Sequence, residues 1–353
     1  MDTGFPAKLP MDFQEITADW VTLALQERYP GVEVTRLQLG QIIRGTGSKA
    51  QLLLTYNDKG PEYGLPPSMY AKGGFDWHKA AIKESYQAEA RFFSEWAPEM
   101  KANIPKGYYG GWNEDNGVAL MEDLGLRNAS FGSGDAQPLD IDTARNVIRL
   151  LSAIHASYWD DPRVMTLRSL GLRVGSKFMW MLEPDYYAAV LKEPRGAGQP
   201  RFFHDPARVH KGLEANWNHV DTGPQTFCHG DAHQGNLFFE PDGTPGYLDF
   251  QAYVHCAGLH DINYFVVGSL SPEDRRRFDR DLLNLYLDDL QALGVRNIWS
   301  PQEAWDRFRR HTMHGMLWFL SPVEMQPADV CEAHGWRFGT AAADYDLANL
   351  LGV

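Results

Sequence analysis

The hydrophobic pattern changes its period part-way along the chain, and that change limits the fold more than any other feature. Before about residue 120, short strand-like runs dominate: Val32–Leu39, Ala50–Tyr56, Ser68–Ala71 and Gly117–Met121. Turn-forming segments rich in Gly and Pro separate them. Two helical stretches accompany them. Residues 16–29 carry Trp20, Val21 and Leu25 on one side, with Thr17 as N-cap and Pro30-Gly31 as the stop. A longer helix runs from about His78 to Trp96. After the Gly/Ser/Asn-rich loop Arg127–Pro138 the period becomes helical: Ala144, Val147, Ile148, Leu151, Ile154 and Tyr158 recur on one face. Helical patterns continue to the end, broken by a loop near Glu193–Pro206 and one hairpin. That hairpin joins Leu237–Phe239 to Tyr247–Phe250 through the turn Pro241-Asp242-Gly243. Strands followed by helices indicate an α+β chain, with a small antiparallel-sheet N-terminal lobe and a larger, mainly helical C-terminal lobe.

Composition narrows the function classes. With 33 Lys+Arg against 46 Asp+Glu the formal charge is −13, so the basic face a nucleic-acid binder needs is not expected. No apolar run approaches the length of a membrane span, and the start MDTGFPAKLPMDF has no signal-peptide pattern. Cys228, Cys256 and Cys331 are odd in number and match no metal knuckle. A reducing, cytoplasmic compartment without disulfides is therefore expected.

The stretch richest in chemistry is His229-Gly-Asp231-Ala-His233-Gln-Gly-Asn236, followed by Leu248-Asp249-Phe250-Gln251. Asp231 and Asn236 are five apart, and Asp249 lies thirteen beyond Asn236. Phosphoryl transfer to an alcohol needs a carboxylate beside the attacking hydroxyl, then hard oxygen ligands for magnesium; an Asp, an Asn and a later Asp come in that order. On the strand ending MYAK, Tyr70 and Lys72 share one face. On the next helix Ile82, Tyr86, Phe93 and Trp96 form an apolar stripe, and Glu89 falls within it. A carboxylate among buried aromatics is costly unless a cation meets it. Lys72 is the candidate.

These motifs resemble the aminoglycoside phosphotransferase and choline kinase superfamily, which has a protein-kinase-like bilobal fold. HGDAHQGNLFF, GYLDFQ and HDINYF look most like its ecdysteroid kinase-like branch. The resemblance implies an ATP- and Mg²⁺-dependent small-molecule kinase. It implies a nucleotide-binding lobe over residues 1–120, a hinge over 121–127 and a catalytic and substrate-binding lobe over 128–353. Asp231 would be the catalytic base, and Asn236 and Asp249 the metal ligands. Gly45, Gly47 and Ser48 would cover the phosphates, while Lys72 and Glu89 position them. Glu122 and Leu124 would meet adenine through their backbone. His229 and Asp261 would support the catalytic loop, with His233 at the cleft mouth and His155 a core histidine. Gln251 stands where protein kinases have the Gly of D-F-G, and only eleven residues separate Asp249 from Asp261. Both departures favour a small-molecule acceptor over a protein.

The acceptor stays open between a cationic alcohol of aminoglycoside or choline type, which suits the acidity, and a neutral, steroid-like one. The second suits the branch and the aromatic region around Trp305, Phe308, His311, His314, Trp318 and Phe319. A dinuclear metallophosphoesterase could draw on His229, Asp231, His233, Asp249, His260 and Asp261. It lacks early Asp-x-His and Gly-Asn-His segments and leaves Lys72 and Glu89 without a role. A non-catalytic nucleotide-binding module is a third reading, and the presence of Lys72, Asp231, Asn236 and Asp249 together counts against it.

Overall fold

The structure, a computed structural model, describes residues 8–44, 47–76, 79–132, 136–171, 177–196, 198–220 and 222–353, with the backbone alone at 79–81. The chain forms two compact units. Met1–Ser130 together with Leu248–Ala252 make the first; Phe131–Tyr247 and Tyr253–Val353 make the second.

The first unit is built on five antiparallel strands: β1 (Val34–Ile43), β2 (Lys49–Tyr56), β3 (Ser68–Gly73), β4 (Gly107–Trp112) and β5 (Gly117–Glu122), in the order β1-β2-β3-β5-β4. Alternation sets its inner face. Ala50, Leu52 and Leu54 of β2 are buried while Leu53 between them is 39% exposed. Met69, Ala71, Val118 and Leu120 complete that layer with Trp20, Val21 and Leu25. The last three belong to α1 (Ala18–Gln26), whose Thr17 cap accepts from the Trp20 N–H at 3.2 Å. The short α2 (Lys59–Glu62) lies between β2 and β3.

Helix α3 (Lys79–Arg91) continues as a π-turn, Phe92–Trp96, and packs on β4 and β5. Glycines permit that approach. A Cβ at Gly110 would run into the Ala90 carbonyl, and one at Gly117 into that of Tyr86. This also explains why β4, with the sequence GYYGGW, has no strand signature: its pairing with β5 and its helix contact override a weak local propensity.

The second unit is mainly helical. Asp140 caps the helix Ile141–Ala156 by accepting from the Asp142 and Thr143 N–H groups. Further helices include Pro206–Val220, Leu259–Ser269, Pro272–Ala292, Pro301–Gly315 and Ala328–Asp344. Leu259–Ser269 is buried along its whole length. Two small strand pairs stand among the helices: Thr226–Cys228 with Val254–Cys256, and Leu237–Phe239 with Pro245–Tyr247. The second pair is the expected hairpin, but its return strand ends at Tyr247 instead of Phe250, because Leu248–Ala252 belongs to the first unit. Asn236 likewise sits in a 3-10 turn, Gln234–Asn236, just before the strand. Among the described residues no helix is long and apolar enough to cross a membrane, and all three cysteines are free and buried.

Candidate functional site

In the first unit, strand alternation turns Lys72 onto the face that α3 covers. Its Nζ stands 2.9 Å from Glu89 Oε1 and 2.9 Å from Asp249 Oδ1. Lys72 and Glu89 side chains are 5% and 3% exposed, and that of Asp249 is 33% exposed. Burial disfavours the Lys72 cation, but the charges of Asp249 and Glu89 outweigh it, so its pKa is raised. Burial raises the pKa of Glu89 in spite of Lys72.

The segment after the hairpin is fastened residue by residue. Asp249, in the left-handed region at φ 66°, meets Lys72; the Phe250 ring stacks on Phe92 at 3.8 Å between centroids; Gln251 Nε2 donates to Glu89 Oε2 at 3.3 Å. Gly47 lies directly over this group, since a Cβ there would come 2.5 Å from Lys72 Cε. Ser48 is buried, with its Oγ 3.5 Å from Asp76 Oδ2. Gly45 lies outside the described residues. At the other end of the sheet Glu122 closes β5, and its Oε2 accepts from the Lys106 N–H at 3.1 Å. Asp123 caps the turn Leu124–Arg127 and accepts from Ser68 Oγ at 2.5 Å and Gln51 Nε2 at 2.8 Å. Leu124 is buried.

In the second unit the loop from His229 to Asn236 is held from beneath. Asp261, fully buried, accepts the His229 N–H on Oδ2 at 2.6 Å and the Gly230 N–H on Oδ1 at 3.0 Å. Gly230 has φ 77°, a conformation suited to glycine. Asn236 Nδ2 donates to the Asp231 carbonyl at 2.9 Å. The Asp231 N–H donates to His229 Nδ1 at 3.3 Å and the Gly235 N–H to His233 Nδ1 at 3.2 Å. A neutral ring that accepts on Nδ1 carries its proton on Nε2. His233 therefore points an N–H at Asp231 Oδ2, 3.6 Å away. The Asp231 side chain is 42% exposed. Burial works to raise its carboxyl pKa, but the imidazoles of His233, His229 and His314 prevail and hold it at about 2. Asp231 is a carboxylate at neutral pH.

Three features escaped the sequence reading. Lys49 lies opposite Lys72 in the β2–β3 register, which could be found only once that register was known. His155 is a core histidine as expected, yet its Nε2 stands 3.2 Å from Asp261 Oδ2 and its Nδ1 2.9 Å from Tyr286 Oη. His260, His311 and His314 form a buried imidazole cluster, with 4.5 Å between the rings of His260 and His314 and 5.6 Å between those of His260 and His311. Burial lowers the pKa of all three, that of His314 to about 4. Trp318 Nε1 donates to His314 Nε2 at 3.1 Å.

Metal chemistry can be tested on the donor sets. Asn236 Oδ1 and the Asp249 carboxylate are hard oxygen donors that suit magnesium. Among the described residues a dinuclear cluster finds no gathered set. Among the described residues the group of three potential ligands brought together is His155, Cys228 and Asp261. There Asp261 is engaged by two backbone N–H groups and His155, and burial raises the Cys228 thiol well above its usual pKa, away from the thiolate that metals need.

The fold also resembles those of solved proteins. The fold is similar to that of a Plasmodium vivax ethanolamine kinase, with a TM-score of 0.51 at 11% identity over 91% of this chain and 87% of that one. It is also similar to choline kinase LicA from Streptococcus pneumoniae, with a TM-score of 0.51 at 11% identity over 92% and 98%. LicA in complex with AMP gives 0.51 at 13% identity over 93% and 98%. No curated protein matches the chain. Residues 78–296, more than half of the sequence, match the phosphotransferase enzyme family. The chain belongs to that family of phosphotransferases.

Proposed function

We propose that this enzyme transfers the γ-phosphate of ATP to a hydroxyl of a neutral, steroid-like metabolite, in the manner of an ecdysteroid kinase-like enzyme of the cytoplasm. The observation that carries the kinase reading is the buried Lys72–Glu89 pair with Asp249 beside it, because kinase-type phosphoryl transfer uses a Lys–Glu pair and a metal-binding Asp. In this reading residues 1–120 bind the nucleotide, 121–127 are the hinge and 128–353 carry catalysis and the acceptor. Lys72, positioned by Glu89, holds the phosphates. Gly45, Gly47 and Ser48 cover them, and the Glu122 carbonyl and Leu124 N–H meet adenine. Asn236 and Asp249 are the magnesium ligands; the ion, when bound, neutralises charge on the phosphates. His229 and Asp261 fix the loop, and Asp231 orients the acceptor hydroxyl. The acceptor oxygen bonds to the γ-phosphorus, the bond from that phosphorus to the bridging oxygen breaks with its electron pair leaving on ADP, and the hydroxyl proton passes to Asp231.

A neutral acceptor is favoured by the surroundings of Asp231. The groups bearing on its charge are the imidazoles of His233, His229 and His314. From His314 a row of rings leads through Trp318 to Phe178, with centroids 5.6 Å and 4.9 Å apart. The test is a screen of neutral and cationic alcohols for ATP consumption, with product mass rising by one phosphate. On the best acceptor Asp231→Asn should lower kcat by about 10²–10⁴-fold while ATP still binds. Transfer at the wild-type rate would remove Asp231 from the mechanism.

A further inference from the structure

Strands β2 and β3 place Lys49 directly opposite Lys72. Opposed residues of neighbouring antiparallel strands share a face, with Cβ atoms about 4.5–5.5 Å apart, and like charges there destabilise the pair. Lys72 is compensated by Glu89 and Asp249, each at 2.9 Å. Lys49 is not. It is half-buried, and its ammonium has no hydrogen bond or ion pair among the described residues. Burial lowers its pKa, and the Lys72 charge lowers it further, against the pull of Asp249 and Glu89. This is a chain with 46 acidic residues, and among the described ones none forms an ion pair with it.

The charge count shows what such a cation can do. One ammonium and two carboxylates, +1 and −2, leave the Lys72 triad at −1, a sign that repels phosphate. Lys49 brings the group to zero. It also sits beside Ser48 and Gly47, the backbone that lies over Lys72. We infer that Lys49 is a second phosphate-binding cation, one that meets the polyphosphate of the nucleotide. This rests on the kinase reading above.

The inference predicts opposite effects on the empty and loaded protein. Lys49→Met removes a half-buried charge that burial disfavours and fills the same space, so the thermal midpoint of the ligand-free protein should hold or rise. Affinity for ATP, measured by titration calorimetry, should fall about tenfold to a hundredfold, the range for a lost charge-assisted hydrogen bond. Affinity for inorganic tripolyphosphate should fall in step. Adenosine should bind as to wild type, and Lys49→Arg should retain most of the ATP affinity. Unchanged ATP and tripolyphosphate binding in Lys49→Met would overturn the inference, as would a lowered midpoint with adenosine affinity lost in parallel. Wild-type protein that binds tripolyphosphate but not ATP would overturn the kinase reading alone, and the Lys49→Met titration with tripolyphosphate would still decide the role of Lys49.

Discussion

Alkaline pH should loosen the helical unit through one buried ring. His155 is fully buried, with Nε2 at 3.2 Å from Asp261 Oδ2 and Nδ1 at 2.9 Å from Tyr286 Oη. Burial disfavours the charged imidazole, but the hydrogen bonds to Asp261 and Cys228 and the charge of Asp261 prevail, and its pKa is raised from 6.5 to about 9. The folded ring thus holds its proton more tightly than the unfolded one. The resulting stabilisation is complete below pH 6.5 and is lost as pH rises through about 9. At about 1.36 kcal/mol per pH decade, that interval amounts to roughly 3 kcal/mol. The other titratable groups against the ring do not confuse the window, because burial pushes Cys228 and Tyr286 well above their ordinary pKa values. Urea midpoints of wild type and His155→Gln, followed from about pH 6 to about pH 10, should diverge. The wild type should lose roughly 3 kcal/mol more than the variant across that range. Since Asp261 holds the His229 and Gly230 N–H groups next to Asp231, turnover should fall over the same interval. Parallel stability curves for the two proteins would refute the charged His155–Asp261 pair.

Two further substitutions probe the sheet unit. Glu89→Gln leaves Lys72 buried with one carboxylate; breaking such a pair costs on the order of 3–5 kcal/mol, and the remaining Asp249 puts the expected loss near the lower end. An equally stable and equally active variant would show that the pair has no structural or catalytic weight. Asp249→Ala should abolish the magnesium dependence of ATP binding while leaving the helical unit folded, and a titration with unaltered magnesium dependence would show that the metal assignment is wrong.

Local pattern carried the faces of elements but not their pairing. Period-two alternation placed Lys72 on one side of its strand, and the apolar stripe of Tyr86, Phe93 and Trp96 placed Glu89 on the buried side of its helix. A cation and a carboxylate that both must be buried find each other, so the pair was legible. Lys49 was not, because a strand's register is set by its neighbours and no spacing within β2 points to Lys72. The brace from His155 to Asp261 spans 106 residues; helical periodicity shows that His155 is inside, never what it meets. The return strand of the hairpin was read three residues too long for a related reason. Leu248-Asp249-Phe250 continues an acceptable strand pattern, but contacts with Lys72 and Phe92 draw the segment into the other unit.

That segment also gives a physical meaning to the residue that departs most from the protein-kinase pattern. A Gly in the place of Gln251 would leave Glu89 Oε2 without the amide it accepts from at 3.3 Å. With Gln251 present, Glu89 has one oxygen on Lys72 and the other on Gln251, and a buried carboxylate needs both occupied. Phe250, stacked on Phe92 with 6° between the rings, keeps Gln251 in place. The Lys–Glu pair that activation-loop phosphorylation controls in protein kinases is here already formed at 2.9 Å and tied down by three consecutive residues. Eleven residues then lead from Asp249 to Asp261, which anchors the loop of the other unit. A chain so short and so fastened has no length to spare for a segment that moves between two states, and with the pair assembled it has no need of one.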